Sequence, residues 1–189
     1  MKHDIDWSKC HNGLFLCRRH QVDHLMPEVV PILEELHKYT RITDPRMATC
    51  AQPGDFWTDK LIDVKVHMLM PGQYPCIPNW RRDFTPRDSL GERLKGWRAP
   101  KYDPLMWMWL SGPPLTLYRS ASELTEFEKS EQAWHSFTRN DAHRGQKATE
   151  HCWRGFIRVI PEAFVHEHTI NVGQIRRHSQ VYLSDKFRW

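Results

Sequence analysis

A chain of 189 residues with 40% hydrophobic and 26% charged residues has the size and composition of one globular domain. The net charge of +4 is spread along the chain, which is too mild to indicate nucleic-acid binding by itself. Five cysteines, an odd number without a C-x-x-C pair, indicate reduced thiols. We therefore expect a cytoplasmic protein without a signal peptide or a membrane span.

The first half of the chain predicts one helix and one strand. Residues 27–39 carry apolar side chains at helical spacing, and their prolines fit only a first turn. Residues 61–70 alternate as a strand does, and one face is wholly apolar: Ile62, Val64, Val66, Met68 and Met70. That face is expected to cover a core, and Asp63, Lys65 and His67 then point the other way.

The second half predicts further strands after a long irregular stretch over residues 71–104. Strands are expected near 105–110, 115–120, 153–159 and 176–183, and residues 142–145 are expected to form a turn. Ser120 and Glu123 form the S-x-x-E pattern of a capping box, which predicts a short helix over about 121–131. Several strands flanked by helices are typical of a sandwich or a barrel.

The sequence lacks a P-loop, a G-x-G-x-x-G, an H-E-x-x-H and a G-x-S-x-G motif. The polar residues that remain lie in two segments, 68–87 and 142–159. The first contains Asp83 soon after a strand, and the second contains His143 followed eleven residues later by Arg154. A carboxylate and a histidine are ligands of non-haem iron, and an arginine can bind a carboxylate through two hydrogen bonds.

These two segments together resemble the oxygenases that use Fe(II) and 2-oxoglutarate. The resemblance covers roughly residues 62–160. It implies a mainly β fold, a double-stranded β-helix (jelly roll) with packing helices near 28–39 and 121–131. It implies a single domain over 1–189 with an N-terminal helical extension. Asp83 and His143 would be metal ligands, and Arg154 would bind 2-oxoglutarate, with Arg158 on the same strand face as a second candidate. The implied activity is hydroxylation of an unknown substrate.

The sequence departs from that family at one position. The first histidine of the family's His-x-Asp pair would fall at 81, where this chain has arginine, which has no free lone pair for iron. His67, His135 and His151 are possible substitutes, although none has the family's spacing. The alternative is a catalytically degenerate member without a cofactor, in which Arg81, Arg154 and Arg158 bind a small anion or a partner in the former metal pocket. A structural protein without a ligand site stays open as well, with Asp83 in a loop ion pair and both strand arginines on an exposed sheet face.

Two further features carry weaker expectations. His166 and His168 could share one face of a strand, as metal ligands do, but no third ligand accompanies them. Residues 174–189 mix basic and aromatic side chains, a combination that can bind nucleic acid through phosphate contacts and stacking. A half-exposed strand has the same composition, so solvated edges remain the alternative for both.

Overall fold

The computed structural model describes residues 3–10, 13–43, 56–76, 78, 80–83, 105–113, 116–119, 126–128, 132–165 and 181–182. Within these ranges the chain is mainly β, as predicted, with antiparallel sheets and a few helices. No helix in this part of the chain has the length and apolarity needed to cross a membrane. No disulfide involves Cys10, Cys17, Cys76 or Cys152 in this part of the chain.

The helices precede the main strands and cover one face of a sheet. Helix α1 spans Arg19–Leu25, a 3-10 turn spans Pro27–Val29, and helix α2 spans Val30–Thr43. The helix predicted over 27–39 is therefore confirmed. Its 3-10 start fits Pro27, because proline at a first turn removes no hydrogen bond that the helix would make.

Eleven strands lie in the described ranges, and the longest two are β2 and β10. Their bounds in chain order are β1 Gly13–Cys17, β2 Lys60–Leu69, β3 Gln73–Tyr74, β4 Arg81–Arg82, β5 Met106–Ser111, β6 Thr116–Arg119, β7 Glu126–Glu128, β8 His135–Phe137, β9 Ala142–Gly145, β10 Cys152–Pro161 and β11 Val181–Tyr182. A five-stranded sheet has the order β1-β2-β10-β5-β8, a four-stranded sheet has the order β4-β9-β6-β7, and β11 pairs with β3. We call the first two the large and the small sheet.

Two predicted elements are wrong. The helix expected over 121–131 is contradicted by strand β7, which pairs with β6 through Leu117 opposite Glu128 and Arg119 opposite Glu126. Pairing along a sheet edge has outweighed a four-residue capping pattern, which is a weak local signal. The turn expected at 142–145 is strand β9, which lies between β4 and β6. Residues 121–125 and 129–131 lie outside the described ranges.

The main apolar core lies between the helices and one face of the large sheet. Trp134 of the segment before β8 donates its indole N–H to the carbonyl of Ile32 at 2.9 Å, which joins α2 to the sheet. The buried side chains of this core include Ile32, Leu33, Leu36, Ile62, Val64, Val66, Trp107, Trp109, Ile157 and Val159. The apolar face predicted for β2 is therefore the core face at Ile62, Val64 and Val66.

The other face of the large sheet is buried as well, because the small sheet covers it. Contacts between the two sheets include Arg154 with Thr116 and Arg158 with Asp83. One end of this inner space is apolar, around Met106, Met108, Tyr118, Phe137 and Ile160. The rest contains buried charged groups. The exposed sheet face considered for Arg154 and Arg158 is therefore contradicted, since only 3% of Arg154 is exposed.

Candidate functional site

The pairing of three short strands places His143 between Arg81 and Tyr118. In the small sheet, Arg81 of β4 and Tyr118 of β6 both lie directly opposite His143 of β9. Asp83 follows β4, and its Oδ1 lies 3.6 Å from His143 Nε2. The structure thus brings together Asp83 and His143, which the sequence singled out as a pair although sixty residues separate them.

Arg158 binds two carboxylates from different parts of the fold. Its Nη1 donates to Asp83 Oδ2 at 2.5 Å, and its Nη2 donates to Asp63 Oδ2 at 2.7 Å. Asp63 is the residue opposite Arg158 in the β2–β10 ladder, so the ion pair crosses two strands and also connects the two sheets. Burial alone would raise the pKa of Asp83, but Arg158, His143 and Arg81 hold it below its ordinary value.

His143 is a buried, neutral imidazole at pH 7. Burial, opposed only in part by Asp83, lowers its pKa from 6.5 to about 4. Arg81 donates its Nε–H to His143 Nε2 at 3.3 Å, so Nε2 acts as an acceptor and the ring proton belongs on Nδ1. The ring of Tyr118 stacks on the imidazole with 5.5 Å between centroids. The imidazole is therefore held in one orientation by two neighbours from adjacent strands.

These contacts do not fit an iron site. A metal needs a lone pair of the His143 ring, whereas Nε2 faces the Arg81 N–H, and Arg158 binds one of the two Asp83 oxygens, Oδ2. No group of three His, Cys, Asp or Glu side chains that could hold a metal ion occurs in the described part of the chain. His67, His135 and His151 do not join the Asp83–His143 pair as a third ligand.

Arg154 and His67 form a second group on the same inner face. They lie opposite each other in the β2–β10 ladder, and each is only 3% exposed. The Arg154 guanidinium donates from Nη2 to Thr116 Oγ1 at 2.8 Å, while its Nε and both ring nitrogens of His67 have no partner among the described residues. Burial, and then Arg154 and Lys65, lower the pKa of His67 to about 3, so this ring is neutral.

Lys65 lies between the two groups and is the cation that the sequence reasoning missed. Its Nζ is 3.9 Å from Asp63 and 5.2 Å from the ring centroid of Phe156, the residue opposite it on β10. Burial lowers its pKa. Asp63 could have been found from one signal, a carboxylate on β2 that lies opposite an arginine, Arg158, on β10. That signal does not mark Lys65, which lies opposite Phe156, or the uncharged Thr116.

The remaining predicted candidates lie apart from this site. His135 lies on β8, at one edge of the large sheet, and pairs with Met108 of β5. His151 is exposed just before β10. His166 and His168 lie outside the described residues, and so does the segment 174–189 apart from Val181–Tyr182. The expectations attached to them stay predictions.

Comparison with models of protein families gave no match, and comparisons with curated proteins and with solved structures gave none either. The function of the site is therefore argued from its own geometry and chemistry.

The two buried histidines make folding pH-dependent. In the unfolded chain both take up a proton near pH 6.5, whereas in the folded chain His143 stays neutral to about pH 4 and His67 to about pH 3. Between pH 6.5 and 4.5 the unfolded state thus binds more protons, and the free energy of unfolding falls as the pH falls. Each histidine contributes up to about 1.4 kcal/mol per pH unit.

Urea denaturation at half-unit pH steps measures this slope. We expect His67→Gln and His143→Gln each to reduce the slope of the unfolding free energy against pH by up to about 1.4 kcal/mol per pH unit. Carboxylates contribute little in this window, because their unfolded pKa is near 3.9. An unchanged slope in both variants would show that these rings are protonated in the folded protein.

Proposed function

We propose that this chain binds a small anion, a carboxylate or a phosphate, between the two sheets of a jelly roll, with Arg154 as its principal contact. This is the degenerate-site alternative that the sequence left open. It needs positive charge in a partly dry space and does not need a metal.

The jelly-roll assignment is supported by how successive strands alternate between the sheets. β2, β5, β8 and β10 belong to the large sheet, and β4, β6, β7 and β9 to the small one. From β2 to β10 the strands of these two sheets therefore alternate in chain order, apart from the β6–β7 hairpin, as expected for a sheet wound on itself, whereas β1 and β2 both belong to the large sheet. In this arrangement Asp83 follows β4, His143 is on β9 and Arg154 is near the start of β10, the order in which the resemblance implies a site.

The observation that carries the proposal is the environment of Arg154. A guanidinium stays protonated, and placing it in a protein interior costs several kcal/mol unless an opposite charge accompanies it. Across the described ranges, Arg154 has a hydroxyl partner and no carboxylate within ion-pair distance. By contrast, Arg158, four residues further along the same face, binds two carboxylates. A bound anion would supply the missing charge and accept from Nε.

The wider charge balance supports the same conclusion. Lys65, Arg81, Arg154 and Arg158 are the cations of the inner face, and Asp63 and Asp83 are the carboxylates described there. The cations thus outnumber the carboxylates, in surroundings where charges interact more strongly than in water. Planar arginine favours carboxylate and phosphate groups over spherical ions, because it can donate two parallel hydrogen bonds.

Isothermal titration calorimetry with 2-oxoglutarate and with inorganic phosphate tests this function at pH 7 and low salt. We expect at least one of them to bind with a Kd below about 1 mM, which corresponds to roughly −4 kcal/mol. Tris, a cation at this pH, is the matched negative probe. Failure of both anions to bind would remove the proposed function.

A second candidate, a metal-dependent oxygenase, is favoured only by the 3.6 Å separation of Asp83 and His143. Since Arg81 occupies the position of the third ligand, we expect Arg81→His to create or strengthen Mn(II) binding by about tenfold or more, and to weaken anion binding. Anaerobic titration of wild type and variant measures both effects. Arg81→Gln is the control, because it removes the charge without supplying an imidazole.

Tight metal binding by the wild type that Arg81→His does not improve would mean that another residue already completes a metal site. Absence of binding by either protein would mean that Asp83 and His143 are not arranged as ligands.

A further inference from the structure

A cavity of about 380 Å³ lies beside the start of β10. It is lined by Pro113, by residues 146–150 of the β9–β10 connection, and by Cys152. Lys147, Thr149 and Glu150 are exposed, so this cavity opens to solvent. Its volume is within the range of pockets that hold small molecules.

The cavity is next to Arg154 along the strand. Side chains two residues apart on a strand share a face, and they are separated by about 6.6 Å, so Cys152 and Arg154 both project toward the inner space. Burial raises the pKa of the Cys152 thiol, and the positive charge of Arg154 acts in the opposite direction. Cys152, which lines the cavity, is thus two residues from the buried Arg154 on the same strand face.

Backbone hydrogen bonds hold the cavity walls in place. The amide of Gly72 donates to the carbonyl of Ala148 at 2.8 Å, and the amide of Ala148 donates to the carbonyl of Gln73 at 2.8 Å. On the opposite wall, the thiol of Cys152 donates to the carbonyl of Pro113 at 2.9 Å. A cavity with both walls fixed in this way is preformed and does not need to open before a small molecule enters.

We propose that this cavity is the entrance through which a small carboxylate reaches Arg154, and that the Cys152 side chain sets its width. The inference rests on the proposed anion-binding function and adds the route of access. Two observations lead to it independently: a solvent-open cavity that Cys152 lines, and a nine-tenths buried cation on the same strand face with an unsatisfied Nε.

Bulk introduced at the entrance tests the route without touching Arg154. We expect Cys152→Trp to weaken 2-oxoglutarate binding by at least about tenfold in calorimetry, and Cys152→Ser to stay within about twofold of wild type. Circular dichroism verifies folding. Thr149→Trp provides the same obstruction from an exposed position on the facing segment if Cys152→Trp does not fold.

Alkylation of the wild-type protein gives a second readout. N-ethylmaleimide is applied with and without saturating 2-oxoglutarate, and peptide mass spectrometry follows the Cys152 adduct separately from other thiols. We expect 2-oxoglutarate to slow this adduct at least fivefold. The entrance would be overturned, with the proposed function intact, if the wild type binds 2-oxoglutarate but the tryptophan variants bind it equally well and the ligand does not slow alkylation of Cys152. No binding of 2-oxoglutarate or phosphate by the wild type would overturn both.

Discussion

Replacing Arg158 with methionine is expected to lower the free energy of unfolding at pH 7 by about 3–5 kcal/mol, as when one partner of a buried ion pair is removed. The substitution keeps an unbranched apolar stem, although a shorter one, and leaves Asp63 and Asp83 without the guanidinium that binds both. Asp63 would retain Lys65 at 3.9 Å, and Asp83 would retain a neutral His143. Neither replaces a direct hydrogen bond to a charged group. Urea denaturation followed by fluorescence measures the loss.

A triple variant separates the charge effect from the loss of packing. Converting Asp63 and Asp83 to asparagine together with Arg158→Met removes all three hydrogen-bonded members of the ion pairs around Arg158, and replacing a complete buried ion pair or triad is often nearly neutral. We therefore expect the triple variant to recover most of the stability that Arg158→Met loses. A single-variant loss below about 1 kcal/mol would mean that Lys65 and Arg81 compensate the carboxylates unaided.

The long strands of this fold could be predicted from the sequence because they are long enough to show a period. β2 alternates over ten residues and β10 over ten more, and both were placed correctly. Strands β4, β8 and β9 have two to four residues each, too few for any alternation to be recognised. The sequence predicts a helix at β7 for the same reason. Three strand residues show no recognisable alternation, whereas the preceding residues do show a capping pattern.

The solvent exposure of the polar faces could not be predicted by alternation alone. An apolar face opposite Asp63, Lys65 and His67 normally indicates a sheet with one wet side. Here a second sheet covers that side, and the charged residues are paired across strands, as Asp63 is with Arg158. The exposed sheet face considered for Arg154 and Arg158 is wrong for the same reason, because a strand's own sequence indicates which residues share a face but not what covers that face.

The proximity of Asp83 and His143 was predicted from the sequence, whereas the bonding of the two residues was not. Asp83 and His143 lie together, but the partner that binds Asp83 is Arg158, which the sequence offered only as a second ligand-binding residue. Arg81 contacts the imidazole and not the carboxylate that follows it. Which arginine pairs with which carboxylate depends on the packing of two sheets, a long-range property.

Arg154→Met is expected to have the opposite consequence from Arg158→Met, although the two arginines lie four residues apart on one strand face. Arg154 contributes a buried charge with a single hydroxyl partner in the described structure, so removing it relieves desolvation. We expect the free energy of unfolding to stay unchanged or to rise slightly.

The same variant is expected to weaken 2-oxoglutarate binding by about 2–5 kcal/mol, roughly thirtyfold or more, because the charged partner of the ligand is lost. Arg154→Lys is the matched control, since it keeps the charge but cannot form two parallel hydrogen bonds, and its affinity should lie between those of wild type and Arg154→Met.

Calorimetry and urea denaturation on the same preparations measure the change in binding and the change in stability. If Arg154→Met costs 3 kcal/mol or more of stability and leaves anion binding unchanged, Arg154 is a structural residue. If Arg154→Met instead leaves stability unchanged or higher and weakens binding as expected, the buried charge of Arg154 serves ligand binding and not the fold.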